Sequence, residues 1–161
     1  MKRRIITIIM IGMLSITLTG CGDNETNQVE KSYILFSNDE KISFSELNKS
    51  ELENTYAFKE KYCGSDFDRK PKEIVAKLES IDEEKTVDYG SENIDFLVIT
   101  VSEKNFKIEV ELRKNKFASV ISEMKVGDYL KFTNIGSLTC NGCGTNSCMH
   151  KIYNPDVEII K

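Results

Sequence analysis

The chain has 161 residues, of which 40% are hydrophobic and 30% charged, with no Trp, two Pro and a formal net charge of −4. That length holds one domain with something added at the N-terminus, and the balance excludes a disordered or membrane-embedded protein. The acidic total also argues against a surface built to hold phosphate backbones.

The first element is "MKRRIITIIMIGMLSITLTGC". Lys2, Arg3 and Arg4 form a positive head, and Ile5 to Leu18 form an apolar run of signal-peptide length. A permanent membrane helix needs roughly 20 apolar residues, more than this run supplies. The run ends in Leu18-Thr19-Gly20-Cys21, which resembles the lipobox of bacterial lipoproteins. The resemblance implies a diacylglycerol group on the Cys21 thiol and cleavage before Cys21. Two acyl chains suffice for stable anchoring where one holds only marginally. Residues 1–20 hold three of the 22 basic residues and none of the 26 acidic ones, so the remainder carries 19 against 26, a net charge of −7. Residues 21–31 then read as the lipidated cysteine and a polar tether.

Residues 32–72 read as a lead-in. "SYILF" is a short strand, "SNDEK" a turn, and "SELENTYAFKEKY" a helix with Ser50 as N-cap and Glu53 at capping-box spacing. Leu52, Tyr56 and Tyr62 supply the buried side of that helix in this reading, and Gly64 ends it.

From residue 73 to 161 the period changes to two. Glu73–Ile81 is a first strand, with Ile74, Ala76 and Leu78 on one face, and "DEEKTVDYGSEN" is a polar loop. Ile94–Val101 is a second strand, apolar on both faces and so central. Phe106–Arg113 alternates cleanly, with Phe106, Ile108, Val110 and Leu112 inward and Lys107, Glu109, Glu111 and Arg113 on a solvated face. Phe117, Val120, Ile121 and Met124 fall at helical spacing, i, i+3, i+4, i+7. After a Gly127-Asp128 turn, Tyr129–Thr133 is a fourth strand. The cysteine segment follows as a loop, and Asp156–Ile160 is a fifth strand.

This element order predicts a mainly β fold: a five-stranded, OB-fold-like Greek-key barrel with a short helix between strands three and four. Tyr56 to Ile160 also resembles a bacterial family of OB-fold domains related to tRNA-anticodon-binding domains. The resemblance is carried by the step Tyr62-Cys63-Gly64 and by Val126-Gly127-Asp128-Tyr129-Leu130 leading into strand four. It implies an exported or lipid-anchored domain without an assigned activity.

The fold name invites a nucleic-acid reading, which the residues oppose. The charge has the wrong sign, the loop after the first strand carries Asp82, Glu83, Glu84 and Asp88, and Phe96, Phe106 and Phe132 sit at core-type alternating positions. No nucleophile elbow, phosphate loop or HExxH helix is present, and His150 is the sole histidine, so no enzyme activity is expected.

With Cys21 given to lipid, Cys63, Cys140, Cys143 and Cys148 remain, an even number with three disulfide connectivities. "CNGCGTNSCMH" packs three of them with His150 into eleven residues. An oxidising compartment favours structural disulfides, such as Cys63 to the loop and Cys143 to Cys148. Cys140-x-x-Cys143-Gly144 also has the spacing of a zinc-knuckle turn, which Cys148 with His150 or Cys63 completes to a tetrahedral set. Free or redox-active thiols are the third reading, although the strand-then-helix context of a thioredoxin motif is missing.

The expectation is therefore a lipid-anchored protein on the extracytoplasmic face of the cell membrane. It acts as a non-catalytic binding or scaffolding module for another envelope protein or a small ligand, without a cofactor and without nucleic acid. The alternative is a metal-binding (zinc) or thiol-redox lipoprotein using Cys140, Cys143 and Cys148.

Overall fold

The computed structural model describes residues 31–63, 70–143 and 148–160. The signal-peptide stretch, Cys21 and Gly64 lie outside the described residues. Among the described residues no helix is long and apolar enough to cross a membrane. The chain order is β1 (Tyr33–Phe36), β2 (Lys41–Ser43), α1 (Phe44–Glu53), α2 (Thr55–Tyr62), β3 (Pro71–Asp88), β4 (Asn93–Glu103), β5 (Phe106–Arg113), α3 (Lys114–Glu123), β6 (Tyr129–Thr133), β7 (Thr139–Asn141), β8 (Met149–Tyr153) and β9 (Asp156–Ile160). The protein is mainly β, as the alternating patterns predict.

The lead-in differs from its expectation. Besides Ser37-x-x-Glu40 between β1 and β2, two S-x-x-E boxes occur in this stretch, and the first of the two caps the helix. Ser43 accepts from the Glu46 N–H while the Glu46 carboxylate accepts from the Ser43 N–H. The second box, Ser50 and Glu53, lies inside α1. The apolar face decides between them. Phe44 and Leu47 are fully buried at i and i+3, whereas Leu52 and Tyr56 are 57% and 72% exposed. Asn54 then accepts from the Ala57 N–H and starts α2, which buries Phe58 and Tyr62. The expected single helix from Ser50 is thus two shorter ones.

The strands form a mixed sheet. β1 and β2 make an antiparallel hairpin, β1 pairs with the start of β3, and β3, β4 and β5 run antiparallel to one another. β5 pairs in parallel with β8, β8 carries β7 on its far side, and β6 lies antiparallel between β3 and β9. β8 and β9 are separated by Asn154-Pro155, and the sheet does not close. The short strand expected at Ser32–Phe36 is β1, but β2 was not expected, and after Thr133, where one strand (β9) is expected, β7, β8 and β9 occur.

The stretch expected as a polar loop after Ile81 is strand as far as Asp88. Its residues are exposed, so burial does not drive the extension; cross-strand pairing does. Thr86 Oγ1 donates to Asp95 Oδ1 at 2.7 Å, and Thr100 Oγ1 donates to Asp82 Oδ2 at 2.7 Å. Only residues 89–92 turn the chain, with Gly90 at φ +78°, a conformation open to glycine at no steric cost.

The core forms where the alternation of β5 places it. Phe106, Ile108, Val110 and Leu112 are all buried, each burial contributing about 1.5–3 kcal/mol. They pack with Ile74, Leu78, Leu97, Ile99 and Val101 of β3 and β4 and with Phe132 of β6. α3 adds Phe117 to this cluster, with Met124 just beyond its end. The opposite face of β5 is not wholly solvated. Glu111 is buried and meets Lys85 Nζ at 3.2 Å, the lysine coming from β3 on the far side of β4.

Candidate functional site

Cys140 and His150 are direct cross-strand partners in the β7–β8 hairpin. Residues opposed in this way share a face of the sheet, which brings Cys140 Sγ to 3.2 Å from His150 Nδ1. On its other side β8 sets His150 opposite Ile108 of β5. The imidazole is buried, stacked on Phe106 with centroids 4.6 Å apart and tilted against Phe58 at 5.4 Å.

The third group comes from α1. The buried face of this helix runs Phe44, Leu47, Glu51, spaced i, i+3, i+7. The last of these is an acid, 4% exposed. Glu51 Oε2 lies 3.1 Å from His150 Nε2, and Glu51 Oε1 accepts the Cys148 backbone N–H at 2.5 Å. Glu51 thus accepts the Cys148 N–H on one oxygen and faces the imidazole with the other. A buried charge is tolerated only when paired and hydrogen-bonded, as here. The pair ties α1 to the hairpin across 99 positions of sequence.

The four cysteines that remain beside Cys21 form two pairs at disulfide distance. Cys63 at the end of α2 pairs with Cys140 in β7, with Cα atoms 5.7 Å apart, and Cys143 pairs with Cys148 across the hairpin tip, with Cα atoms 4.1 Å apart. Among the described residues, the metal-type donor group is not the expected Cys140, Cys143 and Cys148. Instead Cys63, Cys140 and His150 bring their ligating atoms within 4.8 Å of one another. Cys63 and His150, conditional members of the set on sequence grounds, are its centre. Glu51 went unrecognised because an acid in a surface helix reads as solvated; the signal that finds it is the Ser43–Glu46 box, which sets the helical phase and puts Glu51 on the apolar face.

Two open clefts border this cluster. One of about 270 Å³ is lined by Asn48, Glu51, Leu52, Lys107, Cys148 and His150, among others. The second, of about 490 Å³, runs along the α1–α2 junction past Leu52, Asn54, Tyr56 and Lys59 to Cys143. Leu52 borders both, and with Tyr56 and the 53% exposed Met149 it contributes apolar surface at this end of the molecule. The lysine side chains on the sheet are mostly engaged in ion pairs: Lys107 with Glu79, Lys131 with Glu73 and Glu158, and Lys151 with Glu109. They make no continuous basic track.

Scanned against protein-family models, the chain matches none, and a search of curated proteins finds no match to it.

Proposed function

We propose that this protein is a lipoprotein anchored through Cys21 on the extracytoplasmic face of the cell membrane, acting as a non-catalytic binding module for an envelope protein or small ligand. The observation that carries the reading is the cysteine pattern. Once Cys21 is set aside for lipid, each of the other four has a partner at disulfide distance, the arrangement an oxidising compartment permits. The chain order of strand, strand, strand, helix, strand supports an OB-type domain. So does pairing in the order β6–β3–β4–β5–β8, with β9 against β6, if β8 and β9 count as one bent strand.

The binding surface we assign is the cleft along the α1–α2 junction. It is rimmed by exposed Leu52 and Tyr56 and reaches Cys143, which pairs with Cys148. Aromatic and aliphatic side chains left exposed on rigid elements are the usual anchors of a recognition site. The test is photo-crosslinking in intact cells from a reactive residue at position 56, compared with one at Tyr89 on the far β3–β4 turn. A discrete adduct from position 56 and none from position 89 is expected. Equal labelling from both, or none from either, would overturn the assignment.

A second reading, a metal or thiol site, is favoured by one observation: His150 faces the sulfur of Cys140.

A further inference from the structure

His150 poses a physical problem in the disulfide form. Nε2 of the ring faces Glu51 Oε2, and Nδ1 is turned toward Cys140 Sγ, 3.2 Å away. The ring is 2% exposed, so water does not reach this atom freely, and its neighbour in the disulfide form is a sulfur with no hydrogen to give. A histidine present only to fill the space beside Phe106 would need neither the carboxylate nor this orientation.

We infer that Cys63, Cys140 and His150 form a metal site of the zinc class when the two cysteines are in their dithiol form, with Glu51 orienting the histidine. The donor set is two thiolates and one imidazole nitrogen, which suits zinc-class ions. Metal–ligand distances of about 2.0–2.3 Å require tetrahedral donors about 3.5–3.8 Å apart. The three donor atoms already lie within 4.8 Å of one another. Opening the sulfur–sulfur bond therefore calls for side-chain rotation, with no movement of the sheet. Glu51 completes the carboxylate–histidine–metal relationship that fixes ring tautomer and orientation in such sites.

Each thiol releases its proton to solvent on ligation, so the two thiolates offset the charge of one divalent ion. The 270 Å³ cleft reaches His150, one of the three donors. Cys143 and Cys148 are engaged with each other and are not needed. The chain is made as the dithiol, so metal ligation competes with oxidation, in which two electrons and two protons pass to a disulfide-class oxidant. The inference does not depend on the binding-cleft reading, and neither test decides the other.

The experiment uses the full chain in detergent carrying Cys21→Ser, Cys143→Ser and Cys148→Ser, so that Cys63 and Cys140 are its only thiols. It is reduced with a phosphine and titrated anaerobically with cobalt(II). The expected result is one cobalt per chain, with a near-ultraviolet thiolate-to-cobalt band and intense tetrahedral visible bands. His150→Gln should lose at least tenfold in affinity, and Glu51→Gln roughly 10–100-fold while keeping the bands. No thiolate band at saturating cobalt, or unchanged affinity in His150→Gln, overturns the inference. If circular dichroism shows that the variants do not fold, the reduced native chain decides. Zinc should protect Cys63 and Cys140 from alkylation, mapped by mass spectrometry; equal alkylation with and without zinc overturns the site.

Discussion

Glu51 of α1 and His150 of β8 form a buried pair, with Oε2 3.1 Å from Nε2 and both side chains almost wholly removed from solvent. Removing one partner of such a pair strands the other, which typically costs about 3–5 kcal/mol. Glu51→Ala is therefore expected to destabilise the protein by at least about 3 kcal/mol, since it also leaves the Cys148 N–H unmatched. Glu51→Leu combined with His150→Phe should cost well under the sum of the two single changes. The check is a double-mutant cycle by urea unfolding. Additive losses would mean that the pair is not energetically coupled.

The two cysteine pairs should differ in their effect on stability. Cys63–Cys140 links positions 77 apart, whereas Cys143–Cys148 spans five. Loop-closure entropy puts the first near about 4.5 kcal/mol and the second near about 2 kcal/mol. Under non-reducing conditions, Cys63→Ala with Cys140→Ala should lower the melting temperature clearly more than Cys143→Ser with Cys148→Ser. The reverse order would contradict the assigned pairing.

Tyr33 on β1 donates to Glu73 Oε1 on β3 at 2.7 Å, and Lys131 on β6 reaches Glu73 Oε2 at 3.3 Å. The hydrogen bond to Glu73, followed by burial, pushes the Tyr33 hydroxyl up to about 12. The same hydrogen bond, with help from Lys131 and against the effect of burial, holds the Glu73 carboxyl below its ordinary 4.5. For Tyr33 the stabilisation is complete below the unfolded value of 10 and is lost as pH rises toward 12. For Glu73 it is present above 4.5 and is lost as pH falls through the lower folded value. Tyr56 and Tyr129 are also raised, so ultraviolet titration should show a latest-ionising group, Tyr33, that returns toward 10 in Glu73→Gln. An unchanged late group would assign the shift to another tyrosine.

Anchoring has a direct test. Cys21→Ala should accumulate as an unprocessed precursor lacking incorporated fatty acid, followed by gel mobility and radiolabelled palmitate. Normal maturation of that variant would remove the lipoprotein reading.

The sequence was legible where one physical cause dominates. Alternation along Phe106–Arg113 reports burial and finds β5, Glu111 excepted, and the helical spacing from Phe117 to Met124 finds α3, which starts three residues earlier and ends at Glu123. Residues 82–88 were illegible because they are polar on both faces; their strand character comes from Thr86–Asp95 and Thr100–Asp82 pairing, which requires knowing the register. The lead-in failed for a related reason, since two identical capping patterns lie seven residues apart and only the apolar phase from Phe44 separates them. In the site, Cys63 and His150 were visible as candidates. Their meeting with Cys140 depends on the β7–β8 register and on α2 ending beside it. Glu51 could not be told from any solvated helix acid until that phase was known.

β9 has a role apart from any chemistry. It covers β6 along five residues, Tyr129↔Ile160 to Thr133↔Asp156, and Val157 closes over Phe132. A chain clipped behind Asn154 would keep both cysteine pairs, the buried Glu51–His150 contact and both clefts. It would also present β6 as a bare edge, a template onto which another unpaired strand can add. The last strand therefore guards against self-association, and damage to this tail should appear first as precipitation, with the thiol chemistry still intact.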